Sequence, residues 1–417
     1  MKVLVIAPQP FFTPRGTPLS VYYRTLIAAE QGMEIDLLTY GQGANVVIDG
    51  VRIVRTPAFE PLGRVRVGPS LLKAFHDLLL FGRMMGLLLR NRYDVVHAHE
   101  EAVFFCLALR PLFGFRFVYD MHSSLPKQLV NFEFSRSKLL TGLFERLERR
   151  ALRKAHVVVT VCDDLFRYAS ERVPDSNRLL LIENALFDPV RLEDASSASS
   201  PGASEAPGVA VVDSKSANGG ATRVAMSAGG GGNAQPAAGQ LLVYAGTLEP
   251  YQGISLLIEA FAVVAERRAD TELLIAGGSD DQIAAYAQEA RSLGLESRCR
   301  FVGQVPREDA KRLAARADVL ISPRIAGTNV PLKIYEQLAS GRPIVATNVY
   351  AHTQVLSDDV AFLGEPDPES FAAAMLQALD DDVECARRVR AARALYERDY
   401  SPAMYREKMR KLAELMR

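Results

Sequence analysis

The stretch Pro331-Leu-Lys-Ile-Tyr-Glu336-Gln-Leu-Ala-Ser-Gly341, followed by Arg-Pro-Ile-Val-Ala-Thr347, carries more of the fold than any other part of the chain. Upstream of it, Gly327, Thr328 and Asn329 form a loop of small polar residues that leads into Pro331. Proline is favoured at the first helical position, where its missing N–H would have no partner anyway. A short helix is therefore expected from Pro331, closed by Gly341, and then a buried parallel strand from Pro343 to Ala346. Free amides at such a helix start attract an anion. Glu336, about a turn and a half further on, is placed to accept hydrogen bonds from hydroxyl groups. A phosphate at the helix start and vicinal hydroxyls at the carboxylate together describe a nucleotide-sugar. The same spacing also fits an ordinary αβ unit with a surface glutamate.

Working outward, the chain of 417 residues is long enough for two domains of usual size. Its composition is that of a soluble globular protein, 48% apolar and 24% charged, with a formal net charge of zero. That balance removes the electrostatic case for nucleic acid as a partner. Residues 1–190 carry 24 Lys and Arg against 19 Asp and Glu, so a modest positive excess sits in the N-terminal half. The four cysteines (Cys106, Cys162, Cys299, Cys385) lie far apart, share no metal-type spacing, and read as reduced thiols. The opening Met-Lys-Val-Leu-Val-Ile-Ala-Pro reads as a first strand rather than a signal peptide. Charges at Lys73, Asp77 and Arg83 interrupt the longest apolar region, Leu71 to Leu89, and make it a poor membrane span. A cytoplasmic protein is expected.

Short apolar runs alternate with helix-length segments along most of the chain, which is the signature of parallel α/β architecture. In the first half the expected strands are Lys2–Ala7, Ile35–Thr39, Val51–Arg55, Asp94–Ala98, Phe115–Asp120, His156–Val161 and Leu179–Ile182. Helices are expected between them near 17–31, 69–91, 101–113, 136–154 and 163–172. From about Asp194 to Gly239 the composition changes to Ser, Ala and Gly, which cannot bury enough apolar surface to offset ordering entropy. Residues 191–239 are expected to form a disordered insertion at the domain boundary. Alternation then resumes with strands Leu241–Ala245, Glu272–Ala276, Arg300–Val302, Val319–Ser322, Ile344–Thr347 and Val360–Leu363, and a last helix from Pro402 to Met416. The fold class is α/β, with two Rossmann-like domains facing across a cleft.

Several further motifs occur in order. They are Pro14-Arg15-Gly16-Thr17, Asp94-Val-Val-His97-Ala-His99, Val118-Tyr-Asp-Met-His122, Tyr244-Ala-Gly246-Thr-Leu-Glu-Pro-Tyr-Gln252-Gly253, Leu273-Leu-Ile-Ala-Gly277-Gly278 and Arg300-Phe-Val-Gly303. With the opening stretch they resemble glycosyltransferase family 4, retaining enzymes of the GT-B fold that use nucleotide-activated sugars. The resemblance covers nearly the whole chain outside the insertion. It implies an N-terminal acceptor domain (1–190), a C-terminal donor domain (240–400) and a final helix (401–417) that packs back on the first domain. It also implies transfer of a hexosyl group with retention and without a metal or other cofactor, in assembly of a surface polysaccharide or glycolipid. The partners would be a nucleotide-sugar donor and a glycan or lipid-linked acceptor.

Two departures from the family pattern stand out. The first Glu of its E-x7-E signature is replaced by Thr328, and the Arg and Lys of its GRxxxxKG loop by Thr247 and Gln252. Lys333 and Arg324, which flank the helix start, are the natural substitutes for the lost cations. The expected donor-binding set is Gly246, Gln252, Arg324, Thr328, Asn329, Val330, Lys333 and Glu336, with Glu336 and His122 as the catalytic candidates. Arg15, Gly16 and Thr17 precede a helix and would form the acceptor or phosphate loop, with His99 nearby. His97 and His99 share one strand face, and His99 is taken as nearer the cleft. Metal ligation by that pair is not expected, for want of a third ligand. The acidic runs Asp163-Asp164 and Asp380-Asp-Asp382 read as solvated, helix-capping charge rather than a metal motif.

Two basic segments, Lys73 to Arg92 and Ser135 to Lys154, allow peripheral membrane contact, although their apolar faces are expected to meet the core. Other readings stay open: a nucleotide-sugar epimerase of the same fold, and a non-catalytic sugar- or nucleotide-binding protein. An epimerase needs acid–base carboxylates in the cleft. A binder would show no turnover.

Overall fold

The computed structural model describes residues 1–13, 16–58, 63, 65, 70–126, 138–184, 190 and 239–417. The expected insertion therefore lies, but for its last residue, outside the described residues, as does Arg15 of the expected acceptor loop.

The first sheet is fully parallel, with strands β1 (Lys2–Ala7), β2 (Glu34–Thr39), β3 (Val51–Arg55), β4 (Val95–His99), β5 (Arg116–Met121), β6 (Val157–Thr160) and β7 (Leu179–Leu181) in the order β3-β2-β1-β4-β5-β6-β7. Its helices are α1 (Gly16–Glu30), α2 (Leu71–Arg90), α3 (Ala102–Phe113), α4 (Lys138–Lys154) and α5 (Asp163–Ser170). The second sheet is also parallel and runs β10-β9-β8-β11-β12-β13. Its strands are β8 (Gln240–Ala245), β9 (Thr271–Ala276), β10 (Cys299–Gly303), β11 (Val319–Ser322), β12 (Ile344–Thr347) and β13 (Phe362–Gly364). Helices α6 (Ile254–Arg267), α7 (Asp280–Ser292), α8 (Arg307–Arg316), α9 (Leu332–Ala339), α10 (Tyr350–Thr353), α11 (Pro368–Asp380) and α12 (Asp382–Leu395) accompany it. The chain then passes through a single π turn, Tyr396–Tyr400, into α13 (Pro402–Met416).

Both sheets reverse strand order beside their first strand, between β1 and β4 and between β8 and β11. A crevice opens beyond the carboxyl ends of the strands at such a point, and ligands of open α/β sheets bind there. His99 ends β4, and Gly246 and Arg324 lie just beyond β8 and β11. The sequence motifs therefore fall at the two crevices.

The inner strands are largely apolar because helices cover both faces, whereas the edge strands β3 and β10 are partly exposed and carry arginines. One core lies on one face of the first sheet and includes Leu80, Met84, Phe117 and Leu152. The core on its other face takes in Val3, Tyr23 and Leu37 and also Tyr405, Met409, Leu412 and Met416 of α13, so that helix lies on the first sheet although it follows the second. Asp381 caps α12 by accepting from the Glu384 amide at 2.9 Å, and Asp163 and Asp164 occupy the first turn of α5. Both acidic runs thus serve helix starts. All four cysteines are buried and free.

Three local expectations are corrected. Pro331 is the cap residue preceding α9, with extended backbone (ψ 132°), rather than its first helical residue. The strand after Gly341 is Ile344–Thr347, the span expected from the alternation of apolar runs, rather than Pro343 to Ala346. The apolar face of α2 is not simply core-facing. His76, Leu80, Met84, Leu87 and Leu88 are buried, but Leu71 (84% exposed), Leu78 (67%) and Leu89 (72%) stand in solvent. No helix among the described residues is long and apolar enough to cross a membrane.

Candidate active site

At the first crevice, β4 and β5 deliver four side chains to one buried cluster. His97 and His99 share a face, as period-2 geometry requires, and their rings stack at 4.8 Å. Asp120 and His122 lie beside them at the end of β5. His97 Nε2 donates to Asp120 Oδ2 at 2.9 Å, and His99 Nδ1 lies 3.0 Å from His122 Nε2. The second carboxylate oxygen of Asp120 sits 3.3 Å from His122 Nε2. Arg24, from the middle of α1, reaches in to pair with Asp120 and to donate to the Ile182 carbonyl at 2.6 Å.

Arg24 is only 2% exposed, so its charge is desolvated and depends on that carboxylate. Burial alone would raise the pKa of Asp120. Arg24, His99, His122 and the bond from His97 outweigh burial and hold it well below the ordinary carboxylate value. Burial lowers the pKa of His122 to about 4, against the pull of Asp120 and with help from Arg24 and His97. The result is an ionised carboxylate paired with a guanidinium, beside His99 and His122, whose burial favours their uncharged forms.

The expectation that His97 and His99 lack a third ligand needs correction, since Asp120 places its carboxylate within 4.8 Å of both. The guanidinium of Arg24 already neutralises that carboxylate. The cluster is accordingly read as a charge network rather than a cation site. Neither histidine is the more exposed by much: His97 is 5% and His99 1% exposed.

At the second crevice the geometry is cationic. Lys333, in the first turn of α9, holds its Nζ 3.9 Å from the Tyr244 ring centroid and has no hydrogen-bond partner among the described residues. Burial, reinforced by the nearby Arg324 charge, lowers its pKa to about 7. The guanidinium of Arg324 lies 5.0 Å from the Tyr251 ring centroid and donates from Nε to the Ala326 carbonyl at 2.6 Å. A β-carbon on Gly246 would lie 3.6 Å from Lys333 Nζ, so the glycine loop and the ammonium face each other directly. Gly277 (φ +125°) packs so closely on the Gly246 carbonyl that a β-carbon there would come within 1.8 Å of it. Only glycine lets these two loops meet. Two cations without a carboxylate between them, beside free helix amides, make a site for a polyanion.

The other expected donor residues are distributed as follows. Gln252 is buried and donates to Thr247 Oγ1 at 3.3 Å, so the two departures from the family loop are bonded to each other. Thr328 uses its carbonyl to accept from Gln354 Nε2 at 2.5 Å. Asn329 crosses to the first domain, donating to the His122 carbonyl at 3.3 Å and lying 3.9 Å from Cys162 Sγ. Val330 packs against cores of both domains. Glu336 is half-buried, and its Oε1 accepts from Arg307 Nε and Nη2 at 3.2 and 2.9 Å. In the acceptor loop, Gly16 opens α1 with φ +30°, followed by a half-buried Thr17.

The sequence reading missed Arg24, Asp120 and Arg307. The signals were a lone arginine inside the apolar run Leu19–Ala29, and an aspartate two residues before His122 in an otherwise apolar strand.

The chain resembles known proteins in sequence and in fold. Residues 23–185 match the "Glycosyl transferase 4-like domain" family, and residues 239–381 match "Glycosyl transferases group 1". The chain is 25% identical over 414 residues to the phosphatidyl-myo-inositol mannosyltransferase of Mycolicibacterium smegmatis, spanning 96% of this chain and 91% of that protein. It is 31% identical over 144 residues to O-antigen chain mannosyltransferase B of Escherichia coli, 34% of this chain and 37% of that one. Among solved structures, sucrose-phosphate synthase of Thermosynechococcus elongatus superposes with a TM-score of 0.71 at 19% identity, covering 99% of this chain and 98% of the other. The lipopolysaccharide glycosyltransferase WaaG superposes with a TM-score of 0.63 at 15% identity, covering 99% of each chain. The fold is GT-B. The chain belongs to the group 1 glycosyltransferases, family 4.

Proposed function

We propose that this glycosyltransferase moves a hexosyl group from a nucleotide-sugar to a hydroxyl of a lipid-linked or glycan acceptor, with retention and without a metal. One observation carries the reading: the buried, unpartnered ammonium of Lys333 facing Gly246, with Arg324 alongside and the start of α9 behind. A desolvated cation without a counter-charge is costly to keep, and a diphosphate is the ligand that would repay it. In this reading Lys333 and Arg324 replace the cations absent from Thr247 and Gln252. They stabilise the charge that develops on the departing diphosphate.

The acceptor lies in the 1–190 domain, near Gly16, Arg15 and Thr17, with His122 and His99 lining the end of β5 and β4. Residues 240–400 hold the donor, and Glu336 takes the ribose hydroxyls through its Oε2. Departing diphosphate oxygen and incoming hydroxyl meet on the same face of the sugar, which gives retention. The relatives named above act on phosphatidyl-myo-inositol and on O-antigen chains, and one solved relative, HepE of Anabaena, was crystallised with UDP-glucose. The exposed leucines of α2 suit a lipid-linked acceptor and contact with the inner face of a membrane.

The test is a thermal-shift screen of the chain against UDP, GDP, ADP and CMP. One nucleotide raises Tm in the wild type, and Lys333→Ala loses the rise. Retention of the rise in that variant would refute the assignment of Lys333 to the diphosphate. Transfer unaffected by EDTA, with the donor's anomeric configuration kept in the product by NMR, completes the check.

A further inference from the structure

Among the side chains that join the two domains, one touches the residue expected to hold the donor. Arg307 opens α8, directly after Pro306 and the exit of β10. Two of its nitrogens converge on a single oxygen of Glu336, Oε1. Its third nitrogen, Nη1, lies 3.3 Å from the hydroxyl of Tyr23, which belongs to α1 of the first domain. Tyr23 is fully buried and meets Tyr22 edge-on at 5.3 Å, so its hydroxyl is a fixed point.

We infer that Arg307 is a positioning residue for the donor's ribose, holding the Glu336 carboxylate by one oxygen so that the other is presented to the sugar hydroxyls, with Tyr23 bracing the guanidinium from the opposite domain. The inference rests on the reading of Glu336 as the ribose-binding carboxylate.

The physical argument has two parts. A glutamate has three rotatable bonds and loses entropy when a ligand must immobilise it. A guanidinium fork that already holds one oxygen removes that cost before binding, which is preorganisation. Fixing both oxygens would leave nothing for a ligand, and the fork reaches only Oε1. The brace adds a second consequence. The carboxylate of the donor domain is oriented through a side chain held by the acceptor domain, so ribose recognition is strongest when the domains are together.

The experiment compares binding of UDP with 2′-deoxy-UDP, and of GDP with 2′-deoxy-GDP, by calorimetry. The proteins are the wild-type chain and the variants Arg307→Gln, Arg307→Lys and Tyr23→Phe. In the wild type the ribonucleotide that binds is preferred over its deoxy form by about tenfold, the lower end expected for one hydrogen bond to a half-buried carboxylate. Arg307→Gln brings that ratio close to one, while Arg307→Lys keeps part of it, and Tyr23→Phe lowers it by about threefold. In turnover, Arg307→Gln raises the donor KM with little change in kcat, because orientation of the ribose is uniform binding. Preference for the ribose form retained in Arg307→Gln would overturn the inference. No preference in the wild type, with Glu336→Gln binding nucleotide normally, would instead overturn the reading of Glu336.

Discussion

Lys333 carries a cost in the empty protein that its ligand removes. Its folded-state pKa, about 7, lies below the unfolded value of 10.5. Between these values the unfolded chain binds the extra proton, so stability rises with pH from about 7 to 10.5. Below 7 the full penalty is present. Lys333→Met is expected to raise Tm at pH 6 by several degrees and by little at pH 10, while abolishing nucleotide-dependent stabilisation. Melting curves at both pH values, with and without nucleotide, decide this. A stabilising change that removes function is expected where a site keeps an uncompensated charge.

The Arg24–Asp120 pair behaves in the opposite way. Removing one partner leaves a buried charge, which costs about 3–5 kcal/mol, whereas neutralising both partners together costs much less. Arg24→Met should therefore lower the urea midpoint sharply, and Arg24→Met with Asp120→Asn should restore most of it. His122 and His352 both have folded pKa values of about 4, lowered chiefly by burial from 6.5. As pH falls from 6.5 towards 4 the unfolded chain takes up protons that the folded chain does not, so stability is lost in that window. His352→Gln, which removes one such group from its bond with Ser322 at 2.9 Å, should flatten the decline in a pH series of urea titrations. Neither pairing could be read from the sequence. Arg24 and Asp120 stand 96 positions apart and Arg307 and Glu336 29 apart, and such contacts leave no periodic mark. Lys333 and Arg324 were legible because both flank one helix start.

Among the elements, strands were the easiest to read because parallel strands buried on both faces are unbroken apolar runs. Helix faces were harder. The same leucines that mark α2 as a helix were expected to pack inward, yet Leu71, Phe75, Leu78, Met85 and Leu89 recur at helical spacings on its exposed side, with a two-turn gap between Leu78 and Met85. Arg83, Arg90 and Arg92 stand exposed on or just beyond the same helix, and Arg146, Arg149, Arg150 and Arg153 on α4, with α3 packed between the two helices. Exposed apolar side chains with arginines on the same helix and on a nearby one suit an anionic lipid surface. The chain is expected to co-sediment with phosphatidylglycerol vesicles and weakly with phosphatidylcholine ones. Leu78→Glu with Leu89→Glu should reduce that binding at least tenfold without changing Tm, since neither side chain is in the core. Equal sedimentation of this double variant would exclude α2 as the contact.

For the whole molecule, several contacts between domains among the described residues lie close to the expected donor residues: Asn329 on His122, Arg307 on Tyr23, and Gln354, which also holds the Thr328 carbonyl, accepting from the Asp164 amide at 3.2 Å. Each involves a candidate site residue or a side chain bonded to one, so domain contact and ligand binding draw on the same side chains. Asn329→Ala is expected to lower kcat several-fold with a small effect on nucleotide affinity, measured by steady-state kinetics beside calorimetry. An unchanged kcat would show that the loop's hold on His122 has no part in turnover.

The helix α13 sets an order of events during synthesis. Tyr405, Met409, Leu412 and Met416 complete a core whose other walls come from α1 and one face of the first sheet. At roughly 5–20 residues per second, the ribosome needs about 10–45 s after Glu183 to reach α13. For that interval the nascent first domain displays an unfilled apolar groove while the second domain is still being made. The amino-terminal half thus waits on a helix made after the second domain, and in the cell that wait is an opening for chaperones.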